Sequence, residues 1–123
     1  MPLQFSIGTR DRVTTVRLSG TLTLGPQLTR FAREVSVLLE SQKISGIVLD
    51  LGDVESIDSA GLGELVILYT GSDRVGSRLC LSRVPARVRR LLEMTLLAPM
   101  FPQFEDEQSA ADWIVAVQDG GGG

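Results

Sequence analysis

The run GIVLDL, residues 46–51, constrains the fold more than any other feature of the chain. Ile47, Val48, Leu49 and Leu51 leave almost no polar alternation. Such a segment needs apolar cover on both faces for at least part of its length, which places it as a central strand in a sheet that carries helices. The flanking patterns supply those helices. After Pro26, which suits a first helical turn, Leu28, Phe31, Ala32, Val35, Leu38 and Leu39 recur at helical spacing. After residue 58, Leu62, Leu65, Val66 and Tyr69 do the same, so a second helix is expected from near Ser59 to before Gly76.

The remaining segments fit the same architecture. LQFSIG and RVTTVRLSG read as a hairpin, Leu3–Gly8 and Arg12–Ser19, with a charged turn from Thr9 to Arg12 and Gly20 as the end of the second strand. RLCLS is a further strand. Pro85 opens a third helix with Val84, Val88, Leu91 and Leu92 inward. PMFPQFE, bounded by prolines, reads as an edge strand. DEQSAADWIVAVQ is a last helix with acidic residues in its first turn, where the helix dipole favours them. The expectation is an α/β fold: one domain over residues 1–119, a mixed sheet with an N-terminal hairpin, flanking helices, and a flexible glycine tail over residues 120–123.

With 123 residues, 43% hydrophobic and 22% charged, the chain can bury one ordinary core and is too short for two. A net charge of -3 argues against nucleic acid or an anionic membrane as a direct partner, since both call for a basic surface. Cys80 is the single cysteine, so no internal disulfide can form, which fits a reducing cytosol. There is no signal-peptide layout, and no run approaches the ~20 apolar residues of a membrane helix. A soluble cytoplasmic protein is expected.

The chemistry concentrates in ESIDSAGLGEL, residues 55–65. Asp58 and Ser59 stand where an apolar strand gives way to a helix, followed by Gly61 and Gly63. The chain has no histidine, so a serine nucleophile lacks its usual base. Lys43 is the only lysine and nothing ties it to Ser59. No lysine follows the glycines as a P-loop requires, and Val66 stands where a dinucleotide fingerprint would have its third glycine. Glu55 and Asp58 form an acid–base pair only by short spacing, which does not make a dyad. Neither metal nor cofactor is expected, and no enzymatic activity. Two readings of Asp58 and Ser59 remain. They cap the helix, with the glycines allowing a tight turn and close packing on the sheet. Alternatively, the free N–H groups of the first turn favour an anion, and the serine hydroxyl receives a phosphoryl group. A cap can also be a switch.

Two further groups carry no clear chemistry. Arg74, Arg78, Arg83, Arg87, Arg89 and Arg90 are half of the twelve basic residues and read more readily as a solvated face than as a docking patch. Phe101, Phe104 and Trp113 read as core rather than as a ligand platform.

GIVLDLGDVESIDSAGLGELVILY, together with VRLSGTLTLGP and RVPARVRRLLEMTLL, resembles the STAS domain of bacterial anti-sigma factor antagonists over nearly the whole chain. IDSAGLGEL after an apolar strand is its most specific part. The resemblance implies a single STAS-like domain in which Ser59 accepts a phosphoryl group from a serine-kinase anti-sigma factor. The unmodified protein then binds that kinase and frees a sigma factor, and a serine phosphatase resets the switch. It implies a partner-binding loop of Thr23, Asp58, Ser59, Ala60, Gly61, Leu62 and Gly63. This chain has Thr23 where the family often has an acid, and Ala60 where it often has Ser or Thr; neither change removes the acceptor hydroxyl. STAS domains also act as unphosphorylated scaffold modules in regulatory or transport complexes, which is the alternative reading.

Overall fold

The computed structural model of the chain describes residues 1–121, with side chains through residue 116. The elements in order are β1 (Gln4–Arg10), β2 (Val13–Leu22), α1 (Pro26–Glu40), β3 (Gly46–Ile57), α2 (Ser59–Arg74), β4 (Arg78–Ser82), α3 (Ala86–Met94), a 3-10 turn (Ala98–Met100), β5 (Gln103–Phe104) and α4 (Glu107–Gly121). The helix α4 takes in the first two of the four glycines expected as a tail; the other two, at 122 and 123, lie outside the described residues.

One five-stranded sheet runs in the order β1-β2-β3-β4-β5. β1 pairs antiparallel with β2, and the remaining pairs are parallel. The hairpin loop is tighter than expected: Asp11 and Arg12 alone turn the chain, both left-handed with φ of 52° and 68°. That sense matches the twist of the paired strands.

Gly20 does not end β2. The strand continues to Leu22, with register shifts against β3 on either side of Ser19 and Gly20. Gly20 makes this continuation available for two reasons. Its φ is 87°, and a Cβ there would lie 2.3 Å from the carbonyl oxygen of Pro2. The extension matters, because it carries the chain to the edge of the site described below.

Three crossovers, each from one strand to its next neighbour, lay α1, α2 and α3 on one face of the sheet. Phe31, Leu49, Leu51, Leu65, Leu81 and Leu92 meet there in the main core. α4 returns alone across the opposite face and closes a smaller cluster of Val13, Val48, Cys80, Ala110 and Ile114. The alternate residues of β3 therefore serve two cores, as the unbroken apolar run requires. In α2 the buried apolar side chains are Leu62, Leu65 and Leu68, while Val66 and Tyr69 are half-buried on its flank.

The proline-bounded segment forms less strand than expected. β5 has only two residues because Ala98–Met100 winds into a 3-10 turn and drops Phe101 into the core. Phe104 and Trp113 are half-buried and pack against each other with ring centroids 5.5 Å apart, beside the smaller cluster.

Candidate functional site

The C-terminal ends of β2 and β3 lie side by side, with Leu22 opposite Ile57. Beyond them the chain turns into α1 and α2, so the first turns of both helices stand at the same end of the sheet. Asp58 ties them together. It is the N-cap of α2, with extended backbone. Its Oδ1 accepts from the N–H of Gly61 at 2.9 Å, and its Oδ2 accepts from the N–H of Leu24 at 3.0 Å. These two backbone donors, Gly61 foremost, hold the Asp58 carboxyl below the ordinary carboxylate value.

Asp58 does the capping alone. Ser59, expected to share that role, is the first residue of α2 and is exposed. A side chain at this position points back past the start of the helix, and the carboxylate already occupies the donor it would need. The hydroxyl is left facing solvent at the positive end of the helix dipole.

The two glycines differ. Gly61 is buried, and a Cβ on it would lie 2.0 Å from the carbonyl oxygen of Leu22. Only a glycine lets the first turn of α2 come this close to the tail of β2. Around Gly63 a Cβ would meet nothing within 4 Å, so close packing does not account for it. Leu62 is 8% exposed and points into the core. Of the seven residues expected in the loop, Gly61 and Leu62 thus shape it from beneath, Asp58 binds it together, and Thr23, Ser59, Ala60 and Gly63 reach its surface to differing extents. Thr23 is half-buried on the segment that Asp58 holds, with its hydroxyl donating to Thr21 Oγ1 at 3.4 Å.

Glu55 and Asp58 do not form a pair. Glu55 Oε2 lies 3.5 Å from the amino group of Met1, while each oxygen of Asp58 accepts from a backbone N–H. Among the described residues there is no group of three or more His, Cys, Asp or Glu placed to hold a metal ion, and no helix is long and apolar enough to cross a membrane.

Three features escaped the sequence reading. Leu24 is 81% exposed, yet its backbone N–H is held by Asp58, so a large apolar side chain is left in solvent on the segment tied to the start of α2. Its signal was an apolar residue between Thr23 and Gly25, in a loop where polar residues are the rule. The second is the buried Asp50, whose two oxygens both lie 3.1 Å from Arg83 Nε and which also accepts from the N–H of Gly52. An acid inside GIVLDL was the signal: a buried carboxylate calls for a cation partner. The third is the division among the arginines. Arg83 serves Asp50, Arg87 donates to the backbone carbonyl of Glu55, and Arg89 donates to that of Val84.

The STAS domain family model matches residues 4–110. The chain is 28% identical over 118 residues to an anti-sigma F factor antagonist of Paenibacillus polymyxa, covering 95% of this chain and 99% of that one. The anti-sigma factor antagonist SpoIIAA in its unphosphorylated form superposes with a TM-score of 0.80 at 19% identity, over 92% of this chain and 97% of that chain. SpoIIAA of Bacillus in its phosphorylated form gives a TM-score of 0.74 at 19% identity, over 90% and 99% of the two chains. At that identity these structures share the fold.

Proposed function

The chain belongs to the STAS domain family, and from that premise we propose that it is an anti-sigma factor antagonist switched by phosphorylation of Ser59. In the unmodified state it binds a serine-kinase anti-sigma factor in the cytoplasm, and the bound kinase releases its sigma factor. Phosphorylation by that kinase weakens the complex, and a serine phosphatase reverses the change. The partner reads the surface formed by Thr23, Asp58, Ser59, Ala60 and Gly63, with Gly61 and Leu62 setting its shape. The protein is the substrate, and the catalytic groups belong to the partner.

The observation that carries this reading is the division of labour at the start of α2. Asp58 takes the capping hydrogen bond, so the Ser59 hydroxyl is exposed at a helix N-terminus with no structural duty. A phosphoryl group there would add roughly -1.5 to -2 charges. The helix terminus tolerates that charge, but the Asp58 carboxylate one residue away does not attract it, and a partner fitted to a neutral hydroxyl must desolvate it. The anti-sigma factor antagonists of similar sequence and fold support the same assignment.

The test is isothermal titration of the co-purified kinase, identified by affinity capture from native lysate and mass spectrometry, with unmodified and Ser59-phosphorylated protein. Ser59→Ala should fold within about 0.5 kcal/mol of the parent, since no hydrogen bond is lost, and should still bind. Phosphorylated protein should bind at least about tenfold more weakly. Equal affinities would sink the switch and leave an unphosphorylated scaffold module as the reading.

A further inference from the structure

The six arginines that stood out in the sequence do not form one face, and two of them have a different setting from the rest. Arg87 and Arg90 lie on the exposed side of α3, where they border a hollow of about 280 Å³. Its other walls are Ser56 and Ile57, from the tail of β3, with Leu91 and Met94 from α3. Ile57 is two residues before Ser59, so the hollow opens beside the start of α2. Its floor is apolar: Ile57 and Leu91 are half-buried, and Met94 is 74% exposed. Its rim is cationic. Among the described residues neither Arg87 nor Arg90 makes an ion pair, although the chain as a whole carries a net charge of -3. Arg87 is fixed by its hydrogen bond to the carbonyl of Glu55, which leaves the rest of its guanidinium available.

An apolar floor with two uncompensated guanidinium groups at its edge is complementary to an apolar side chain flanked by carboxylates. We propose that this hollow is a second docking point for the protein partner that reaches Ser59, and that it takes an acidic segment of that partner carrying a leucine-like anchor. The inference rests on the partner-binding reading above. The anchor displaces water from Ile57, Leu91 and Met94, and the carboxylates pair with Arg87 and Arg90. Docking here orients the partner over the α2 terminus, whatever the state of Ser59, and the modification then sets the affinity.

The probe is a capped peptide of two leucines flanked on each side by two glutamates, titrated into the ¹⁵N-labelled full chain and followed by NMR. The amide signals of Ile57, Arg90 and Leu91 should shift. The same peptide with glutamine in place of glutamate should bind about tenfold more weakly, and Arg90→Glu should lower affinity for the acidic peptide by a similar factor. Arg90 is exposed and makes no hydrogen bond or ion pair within the described residues, so that variant should fold normally; Arg74→Glu, at the far end of α2, is the control and should bind as the parent does. With the captured kinase, Arg90→Glu should again weaken binding about tenfold while Arg74→Glu does not. Absence of shifts at a few millimolar peptide, equal shifts with the glutamine peptide, or unchanged binding in Arg90→Glu would overturn the proposal. A concentration-dependent dimer lost in Arg90→Glu would make a second copy of the chain the occupant and overturn it as well. Peptide binding at the hollow combined with equal kinase affinity before and after phosphorylation would sink the switch and leave the docking point standing.

Discussion

Gly61 and Gly63 are two residues apart in the same helix, and replacing each with alanine should move stability in opposite directions. At Gly61 the new Cβ would meet the Leu22 carbonyl oxygen at 2.0 Å, its carbon at 2.9 Å and the Leu22 Cγ at 3.1 Å. Ordinary contact begins at 3.4 Å, so the first turn of α2 must retreat by 3.4 - 2.0, or 1.4 Å, from the tail of β2. The obstacle is backbone in a paired strand, which cannot rotate aside. Overpacking of this kind costs about 1–3 kcal/mol, and the retreat also stretches the 2.9 Å bond from Gly61 to Asp58. Alanine regains at most about 1 kcal/mol of helix propensity, and less in a first turn, so strain wins. At Gly63 nothing lies within 4 Å, the propensity term stands alone, and alanine should stabilise by about 0.5–1 kcal/mol. Urea unfolding of both variants decides the matter. With a slope of about 1–3 kcal/mol/M, Gly61→Ala should lower the midpoint by about 0.5–2 M and Gly63→Ala should raise it by a few tenths. A Gly61→Ala protein as stable as the parent would refute the close approach of α2 to β2, and with it the geometry that presents Ser59.

The Asp58 carboxyl is held below its ordinary value, so the folded protein binds that proton less readily than the unfolded chain; its contribution to stability is complete above about pH 4 and is lost as pH falls through the lower folded value. Asp58→Asn keeps an acceptor for Gly61 but not a second one for Leu24, and urea midpoints across roughly pH 2–6 should show a flatter acid limb in the variant than in the parent. Arg83→Met should destabilise by about 1–3 kcal/mol, because Asp50 is only 4% exposed and would be left unpaired; the figure sits below that of a fully buried pair because the Arg83 side chain is 46% exposed. Thermal unfolding checks it, and Arg83→Met with an unchanged midpoint would refute the role of the pair. Burial pushes the Cys80 thiol up to about 12, so alkylation by iodoacetamide at neutral pH should proceed only through the unfolded state and accelerate as added urea raises its population.

Much of this architecture was legible in the order of residues. The unbroken GIVLDL run required cover on both faces, and α1–α3 on one side with α4 on the other supply it. Helical spacing located α1 and α2 within a residue or two, because burying one stripe of a helix leaves a local, periodic trace. The position of Ser59 at the join of strand and helix was legible for the same reason. What the order of residues left open was decided by contacts between distant segments. Gly20 read as a strand end and proved to be a point inside β2, since only pairing with β3 and the nearness of Pro2 distinguish the two. Asp58 and Ser59 are about equally favoured as caps in isolation. In the fold Asp58 takes the Gly61 N–H with one oxygen and, with the other, the N–H of Leu24, 34 positions away, which leaves the serine without a capping role. Gly61 and Gly63 look alike in sequence and part company only because the Leu22 carbonyl lies against one of them. The arginines likewise became a partner for the buried Asp50, a tether for Glu55 and an unpaired rim only once the sheet had brought β3 beside α3. Periodicity records which face of an element is buried, and it carries no record of which atom of another element stands opposite.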